Sequence, residues 1–278
     1  MNPLVIGGSG FIGSHLCAEL KTARSADMRD ADYICDIRIR KQVEQLFNRC
    51  RPRSIVHLAS MLQTAAGEHP RFAVQINLLG WLNVLQAAVR TGAVHVIFAS
   101  SMSVYGSATT TLRRGVRESD PAAPEDLYGT LKKAAEITGN RVLRDAGISF
   151  TSLRIPIVIG PGVSRSASSW RGDLFDPGAN QVTIPYAADE ILPVVHVRQL
   201  AMQIKRLLSV QPLDTVYNAP CLCLSAAEIA SAAQQFNPDL RVHFGDRRIQ
   251  GFPSFVDSAR FCSEFNFAHI PIGEWRDL

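Results

Sequence analysis

Residues 3–16 read PLVIGGSGFIGSHL, and the reading of this stretch decides the fold. Pro3 to Ile6 is a short apolar run of the kind that forms a buried strand. Phe11 to Lys21 has helical periodicity, and between the two stand Gly7, Gly10 and Gly13. Glycines at a strand-to-helix turn permit a tight bend and close backbone approach. The first helical N–H groups, here those of Phe11, Ile12 and Gly13, attract the pyrophosphate of a dinucleotide. A purely structural turn would use the same spacing, but its place between a buried strand and a helix favours the dinucleotide.

Outward from this stretch, short apolar runs alternate with longer amphipathic segments. Strands are expected at Ala31–Cys35, Ser54–Ala59, Val94–Ser100 and Ile148–Arg154, and helices at Ile39–Arg49, Arg71–Thr91 and from Tyr128 to Asp145. The alternation predicts α/β architecture, a Rossmann-type doubly wound parallel sheet with helices on both faces. Beyond Gly160 the texture changes to a Gly-, Ser- and Pro-rich stretch, and a helix at Val197–Leu208 rejoins the sheet. The expected division is a dinucleotide-binding domain of residues 1–160 and 194–209. Residues 161–193 and 210–278 form a small, intertwined C-terminal substrate domain.

Composition narrows the function. The 278 residues are 46% hydrophobic and 19% charged, with a net charge of +4, as in ordinary globular proteins. No basic block interleaved with aromatics supports nucleic-acid binding. None of the six cysteines forms a CxxC or a cluster with zinc-ligand spacing, so no metal is expected and a reducing, cytoplasmic setting fits. The N-terminus enters its first strand at once, and no apolar run is expected to span a membrane.

The chemistry gathers on YGTLK, where Lys132 follows Tyr128 by four residues. In a helix the two share one face, and a fixed cation favours phenolate over phenol. Such a pair can take a proton from an alcohol or give one to a carbonyl. Ser100 and Ser101 end a strand in FASSMSVYG, and a hydroxyl there can steady a developing alkoxide. Asp36 and Ile37, in CDIR, suit an adenine site, the carboxylate accepting from the amino group and Ile37 covering the ring; a helix cap is the plainer role of Asp36. Leu58, Ala59 and Ser60 end a strand where a cofactor needs room. Asn77, in QINLLG, either bridges the lysine, water and cofactor or is a polar residue on a turn.

Taken in order, GGSGFIG, CDIR, VHLAS, NLLGWLNVLQAA, SSMSVYG, YGTLK, LRIPIVIGPG and LPVVHVRQLA resemble the extended short-chain dehydrogenase/reductase superfamily, in its NAD-dependent epimerase/dehydratase branch. The resemblance implies Tyr128 as acid/base, Lys132 on the nicotinamide ribose and Ser101 as the family's Ser/Thr position. It further implies Met102 and Ser103 facing substrate, Pro156 and Ile157 lining the nicotinamide, and His196 near the domain junction. It also implies NAD as cofactor, with NADP not excluded, a small carbohydrate-type substrate, and a homodimer built on the helices at Arg71–Thr91 and Leu127–Asp145.

Three departures bear on the substrate and cofactor. The stretch from Leu20 to Tyr33 reads as too short for the usual second strand and its loop, which leaves NAD against NADP open. Ile157 stands where sugar-nucleotide epimerases carry Asn, a form closer to sugar-acid dehydrogenases. Arg198 and Gln199 replace paired aspartates. Arg165 and Arg171 either bind an anionic group or are solvated. The functions that follow are an NAD(P)-dependent epimerase-type enzyme, a simple dehydrogenase or ketoreductase, or a dinucleotide sensor without catalysis. Met102 and Ser103 lack the acid and base that dehydration needs.

Overall fold

Strand β1 (Leu4–Ile6) lies near the middle of one sheet and the rest of the molecule is arranged about it. In the computed structural model, which describes residues 3–107, 113–162 and 169–278, the remaining strands are β2 (Arg24–Asp27), β3 (Tyr33–Ile34), β4 (Ser54–His57), β5 (His95–Ser101), β6 (Ser149–Ile155), β7 (Ile157–Ile159), β8 (Gln181–Tyr186), β9 (Ile191–His196), β10 (Val216–Asn218), β11 (Leu222–Ser225) and β12 (Arg241–Arg247). The main sheet has seven strands in the order β10-β6-β5-β4-β1-β2-β3, every pair parallel. Strand order reverses at β1, and ligands of such sheets bind outside the C-terminal ends of the strands at that point.

The helices are α1 (Phe11–Leu20), α2 (Arg40–Cys50), α3 (Gln63–Glu68), α4 (Pro70–Val74), α5 (Trp81–Thr91), α6 (Leu127–Asp145), α7 (Trp170–Asp173), α8 (Val197–Ser209), α9 (Ala226–Phe236) and α10 (Ala259–Phe265). Alternate residues along each strand feed opposite faces. Leu4, Ile6, Ile55, Val96 and Phe98 pack with Val43, Phe47, Trp81, Leu85 and Ala135 of α2, α5 and α6. Val5, Val56, Ile97 and Ala99 pack with Leu16, Leu200, Ile204 and Phe261 of α1, α8 and α10. The doubly wound sheet expected from the sequence is therefore the observed one.

Two smaller sheets, β11-β9-β7 and β12-β8, enclose a third cluster around Ile159, Trp170, Ile184, Val194, Ile229 and Trp275. One strand departs from the expected partition, which gives residues 210–278 wholly to the substrate domain: β10 lies beside β6 in the main sheet. Asn218 fixes it there. Its side chain donates to the Val116 and Asp257 carbonyls at 2.9 and 3.0 Å and accepts from Tyr105 Oη at 2.7 Å.

The segment Leu20–Tyr33 needs a correction. It does hold a second strand, because Arg24, Ser25 and Ala26 pair with Leu4, Val5 and Ile6. Only Ala26 of β2 is buried, so no apolar run announces it. A second correction concerns Pro70–Thr91, which is long and apolar enough, by length and composition, to cross a bilayer. It lies on the sheet instead, with Trp81, Val84, Leu85, Ala87 and Ala88 buried. It is also not one regular helix, since Gln75–Gly80 forms a π-helical turn.

Among the buried histidines, the two on the main sheet, His57 and His95, tie stability to pH. Burial pushes His57 down to about 3, with Lys132 adding to the effect, and His95, beside Thr151 Oγ1 at 2.9 Å, down to about 4. Both stay neutral in the folded chain where an unfolded histidine would take a proton. Stability is therefore full above about pH 6.5 and falls as pH drops toward 4. Each group contributes up to about 1.4 kcal/mol per pH unit. Urea unfolding between pH 7 and 4.5 should show this slope, and His95→Gln should flatten it; an unchanged slope in the variant would contradict the assignment.

Candidate active site

At the C-terminal end of β1, Gly7 has φ +86°, and a Cβ there would lie 2.6 Å from the Ala59 nitrogen. Only glycine suits such a position. At Gly13 a Cβ would lie 2.1 Å from the Gly7 carbonyl oxygen, so the third glycine lets α1 pack against the turn. Gly10 is the N-cap of α1, with no side-chain cap and no acid in the first turn. That leaves an uncapped helix end, flanked by half-buried Phe11 and Ile12, which suits a pyrophosphate.

Asp27 is the residue that sequence reading missed. It ends β2, about 20 positions past Gly7, and its Oδ2 accepts the Ser9 N–H at 3.1 Å. An acid there is placed to accept from a ribose hydroxyl. The signal was the spacing from the glycines, not strand character. Asp36 is engaged locally: Arg38 donates from Nε and Nη2 at 3.0 and 2.6 Å, and this pairing holds its carboxyl low. Ile37 is buried under Gly80, where a Cβ would lie 2.8 Å from the Ile37 side chain. Leu58 and Ala59 donate their N–H groups to the Ile6 carbonyl at 2.8 and 3.1 Å.

Asn77 is hydrogen-bonded to the segment that follows β4. Its Oδ1 accepts from Met61 N–H at 2.7 Å and Ser60 Oγ at 3.3 Å, and its Nδ2 donates to the Met61 carbonyl at 2.9 Å. The π-helical turn aims this buried amide at the segment after β4, which it clips in place. Such turns are frequent at functional sites.

Tyr128 and Lys132 occupy the first two turns of α6. Asp126 caps the helix, accepting Gly129 N–H at 2.6 Å. A Cβ on Gly129 would lie 2.5 Å from the Ser103 carbonyl oxygen. The glycine beside the tyrosine therefore lets α6 close onto the turn Met102–Val104, whose N-cap is Ser101. Ser101 Oγ donates to Ser103 Oγ at 3.1 Å and accepts Ser103 N–H at 3.2 Å. Met102 and Ser103 are buried; Pro156 is buried and Ile157 half-buried at the start of β7.

The electrostatics differ from the expectation of a lowered phenol. Burial pushes Tyr128 up to about 12, against the opposing pull of Ser101, Arg171 and Ser60. Lys132 sits with Nζ 5.5 Å from the Tyr128 ring centre and 4.9 Å from that of Phe98, and donates to the Ala99 carbonyl at 2.6 Å. Burial pushes it down to about 7, with Glu136 opposing. Desolvation thus outweighs the polar and charged neighbours of each group.

One turn further on, Glu136 is fully engaged. It accepts from Arg154 Nε and Nη2 at 2.9 and 2.9 Å, Ser100 Oγ at 2.7 Å and Ser152 Oγ at 3.2 Å. The Ser100 hydroxyl, expected at the cofactor, is thus engaged by this cluster. Burial raises the Glu136 carboxyl, but Arg154, Ser100 and Lys133 outweigh it and leave it low. Arg171, on α7, is half-buried and within electrostatic reach of Tyr128 and Tyr186. His196 ends β9 and packs against Phe175 and Trp275. Arg165 lies outside the described residues.

A parallel sheet in this order, a glycine turn on its first strand, and Ser101, Tyr128 and Lys132 at the C-terminal edge define a Rossmann-type protein of extended short-chain dehydrogenase/reductase architecture. The chain belongs to the NAD-dependent epimerase/dehydratase family, whose pattern matches residues 3–219. UDP-glucose 4-epimerase of Rhizobium meliloti is 29% identical over 163 residues, 53% of this chain and 47% of that protein. D-erythronate dehydrogenase of Haemophilus influenzae is 25% identical over 189 residues, 61% of this chain and 59% of that protein. The match thus spans about half the length of these curated relatives. Among solved structures, UDP-glucose 4-epimerase of Thermus thermophilus in complex with NAD superposes with a TM-score of 0.84 at 22% identity, covering 99% of this chain and 97% of that one. A GalE-like L-threonine dehydrogenase from Cupriavidus necator gives 0.86 at 20% identity, covering 100% and 98%. These two likenesses establish the fold.

The glycine turn yields a prediction that needs no substrate. Gly7→Ala places a methyl against Ala59 in a conformation costing about 1–3 kcal/mol. NADH titration by fluorescence should show at least about tenfold weaker binding, with a lower Tm. Wild-type affinity in this variant would remove the dinucleotide from the turn.

Proposed function

We propose that the protein is an NAD-dependent enzyme that oxidises or epimerises a hydroxyl-bearing carbon of a sugar or sugar derivative. The observation that supports this reading is that Ser101, at the end of β5, interacts with Tyr128, one turn from Lys132 on α6, in the sheet whose first strand carries the glycine turn. The turn, Asp27 and Ile37 would hold the dinucleotide, with Lys132 at its nicotinamide ribose and Pro156 and Ile157 beside the ring. NAD bound there supplies the hydride acceptor. Ser101 holds the substrate oxygen and Tyr128, as phenolate, takes its proton and becomes the phenol, while Lys132 supplies the positive charge that favours the phenolate beforehand. We assign residues 1–160 and 194–209, with β10 added, to dinucleotide binding and the rest to substrate.

Asp27 favours NAD over NADP, because its carboxylate accepts from a 2′-hydroxyl and repels a 2′-phosphate. Titration should give tighter NADH than NADPH binding, and Asp27→Asn should narrow the difference. Equal affinities in the wild type would overturn this assignment.

A net dehydrogenase is the second reading. It is favoured by the relatives named for erythronate and threonine. The two separate on cofactor absorbance: a dehydrogenase accumulates NADH and an epimerase does not. Exposed Phe72, Leu79 and Ile137 on Pro70–Thr91 and α6 support a homodimer through these helices. Six free cysteines support a reducing compartment, the cytoplasm.

Tyr128→Phe should lower hydride transfer by about 10²- to 10⁴-fold while NADH affinity stays within about twofold, the phenol bearing on proton transfer rather than on holding the dinucleotide. Turnover like that of the wild type would remove Tyr128 as the acid/base.

A further inference from the structure

Beside the N-terminal end of β2, a cleft of about 380 Å³ is lined by Lys21, Arg24, Asp32, Tyr33 and Arg49, among others. Lys21 caps the C-terminal end of α1, Arg24 opens β2 and Arg49 lies in the last turn of α2. The cleft is therefore at the opposite ends of α1 and β2 from the glycine turn and Asp27. Two of its cations meet one phenol. Arg24 Nη1 donates to Tyr33 Oη at 2.8 Å, and the Arg49 guanidinium stands over the Tyr33 ring, 5.3 Å from its centre. Among the described residues, the Lys21 ammonium and the Arg49 guanidinium make no hydrogen bond or ion pair, and the Arg24 guanidinium makes only the bond to Tyr33. Asp32, the acid of the lining, is turned to Ser25, its Oδ2 accepting the N–H at 2.8 Å and the hydroxyl at 2.9 Å. Three cations with donors to spare thus share the cleft with one carboxylate that is already engaged.

From this arrangement we propose that Lys21, Arg24 and Arg49 bind the phosphate group of a small phosphate monoester, at a second site separate from the dinucleotide. Like charges gathered on one ring repel each other, and a dianion between them reverses the sign of that interaction. A phosphate monoester carries a charge of about −2 at neutral pH. Guanidinium groups offer paired N–H donors that match its oxygens, and the ammonium adds a compact point charge. Size also bears on the ligand. Ligand sites run from about 300 to 1,000 Å³, and this cleft is at the small end, with room for a small organic group beside the phosphate. Each cation is exposed, so a single contact is worth little and the site rests on three acting together. Cations at the ends of α1 and α2 also complement the helix dipoles. That structural role alone entails no phosphate binding, which makes the two roles separable.

The test is calorimetric titration of glucose 6-phosphate and of inorganic phosphate into the full chain, with and without saturating NADH, at constant ionic strength and with glucose as the uncharged control. Glucose 6-phosphate should bind saturably and glucose should not. Because the two sites lie at opposite ends of α1 and β2, NADH should leave that affinity within about twofold. Lys21→Gly removes a charge at a left-handed position, φ +51°, that glycine adopts more readily. This variant should fold at least as stably as the wild type by urea titration, yet bind glucose 6-phosphate about tenfold or more weakly. Arg49→Gln should show a loss of the same order. No saturable binding, or wild-type affinity in both variants, would overturn the site and leave the cations their helix-end role. Binding that NADH abolishes would place the phosphate at the β1–α1 turn and equally overturn it. Inorganic phosphate bound at least as tightly as the ester would overturn the monoester and assign the cleft to free phosphate.

Discussion

The site depends on one buried carboxylate. Glu136 takes both donors of an Arg154 fork and two serine hydroxyls, from β5 and β6, and both members of the ion pair are buried. A buried ion pair returns its desolvation cost only when the carboxylate's lone pairs are met, and here the partners are supplied by two adjacent strands. The pair fixes the rotation of α6 about its own axis. Because side chains four apart share a face, fixing Glu136 fixes Lys132 one turn up and Tyr128 two turns up. Gly129 then lets the helix close on Ser103, and Asp126 ends it. The position of the phenol is therefore set from below by charge and from above by close packing.

The same helix shows how burial and reactivity conflict. Phenol and ammonium are each driven toward their neutral forms, Tyr128 up and Lys132 down, by the low-dielectric interior. A charged dinucleotide and a substrate oxygen at Ser101 would change that balance. In the proposed function the protein supplies position, and the charges that would make the pair reactive would come with the molecules bound there. Asn77 contributes at a distance, holding the Ser60–Met61 segment against the site.

Much of this was legible in the amino-acid order. The glycine turn, the alternating elements and the YGTLK spacing rest on local rules, and the doubly wound sheet and the helix of Tyr128 follow from them. What was not legible depends on tertiary context. β2 has one buried residue and is a strand only because β1 pairs with it. Asp27 was visible as one aspartate among several until that pairing placed it at a strand end. The Ser60 and Met61 partners of Asn77 were not legible because a π-helical turn, which spacing does not announce, sets where its side chain points. The raised phenol reflects burial, which spacing does not report. Glu136 sits four residues past Lys132, but its partner Arg154 is 18 residues further on, so nothing local marked it.

If Glu136 positions the acid/base, the most direct measurement is hydride transfer per folded molecule in Glu136→Gln, with the folded fraction set by urea titration of the same sample. Leaving Arg154 buried without its partner should cost about 3–5 kcal/mol of stability. Among molecules still folded, a displaced phenol should lower turnover by about 10²-fold. Wild-type stability together with wild-type turnover would contradict the account.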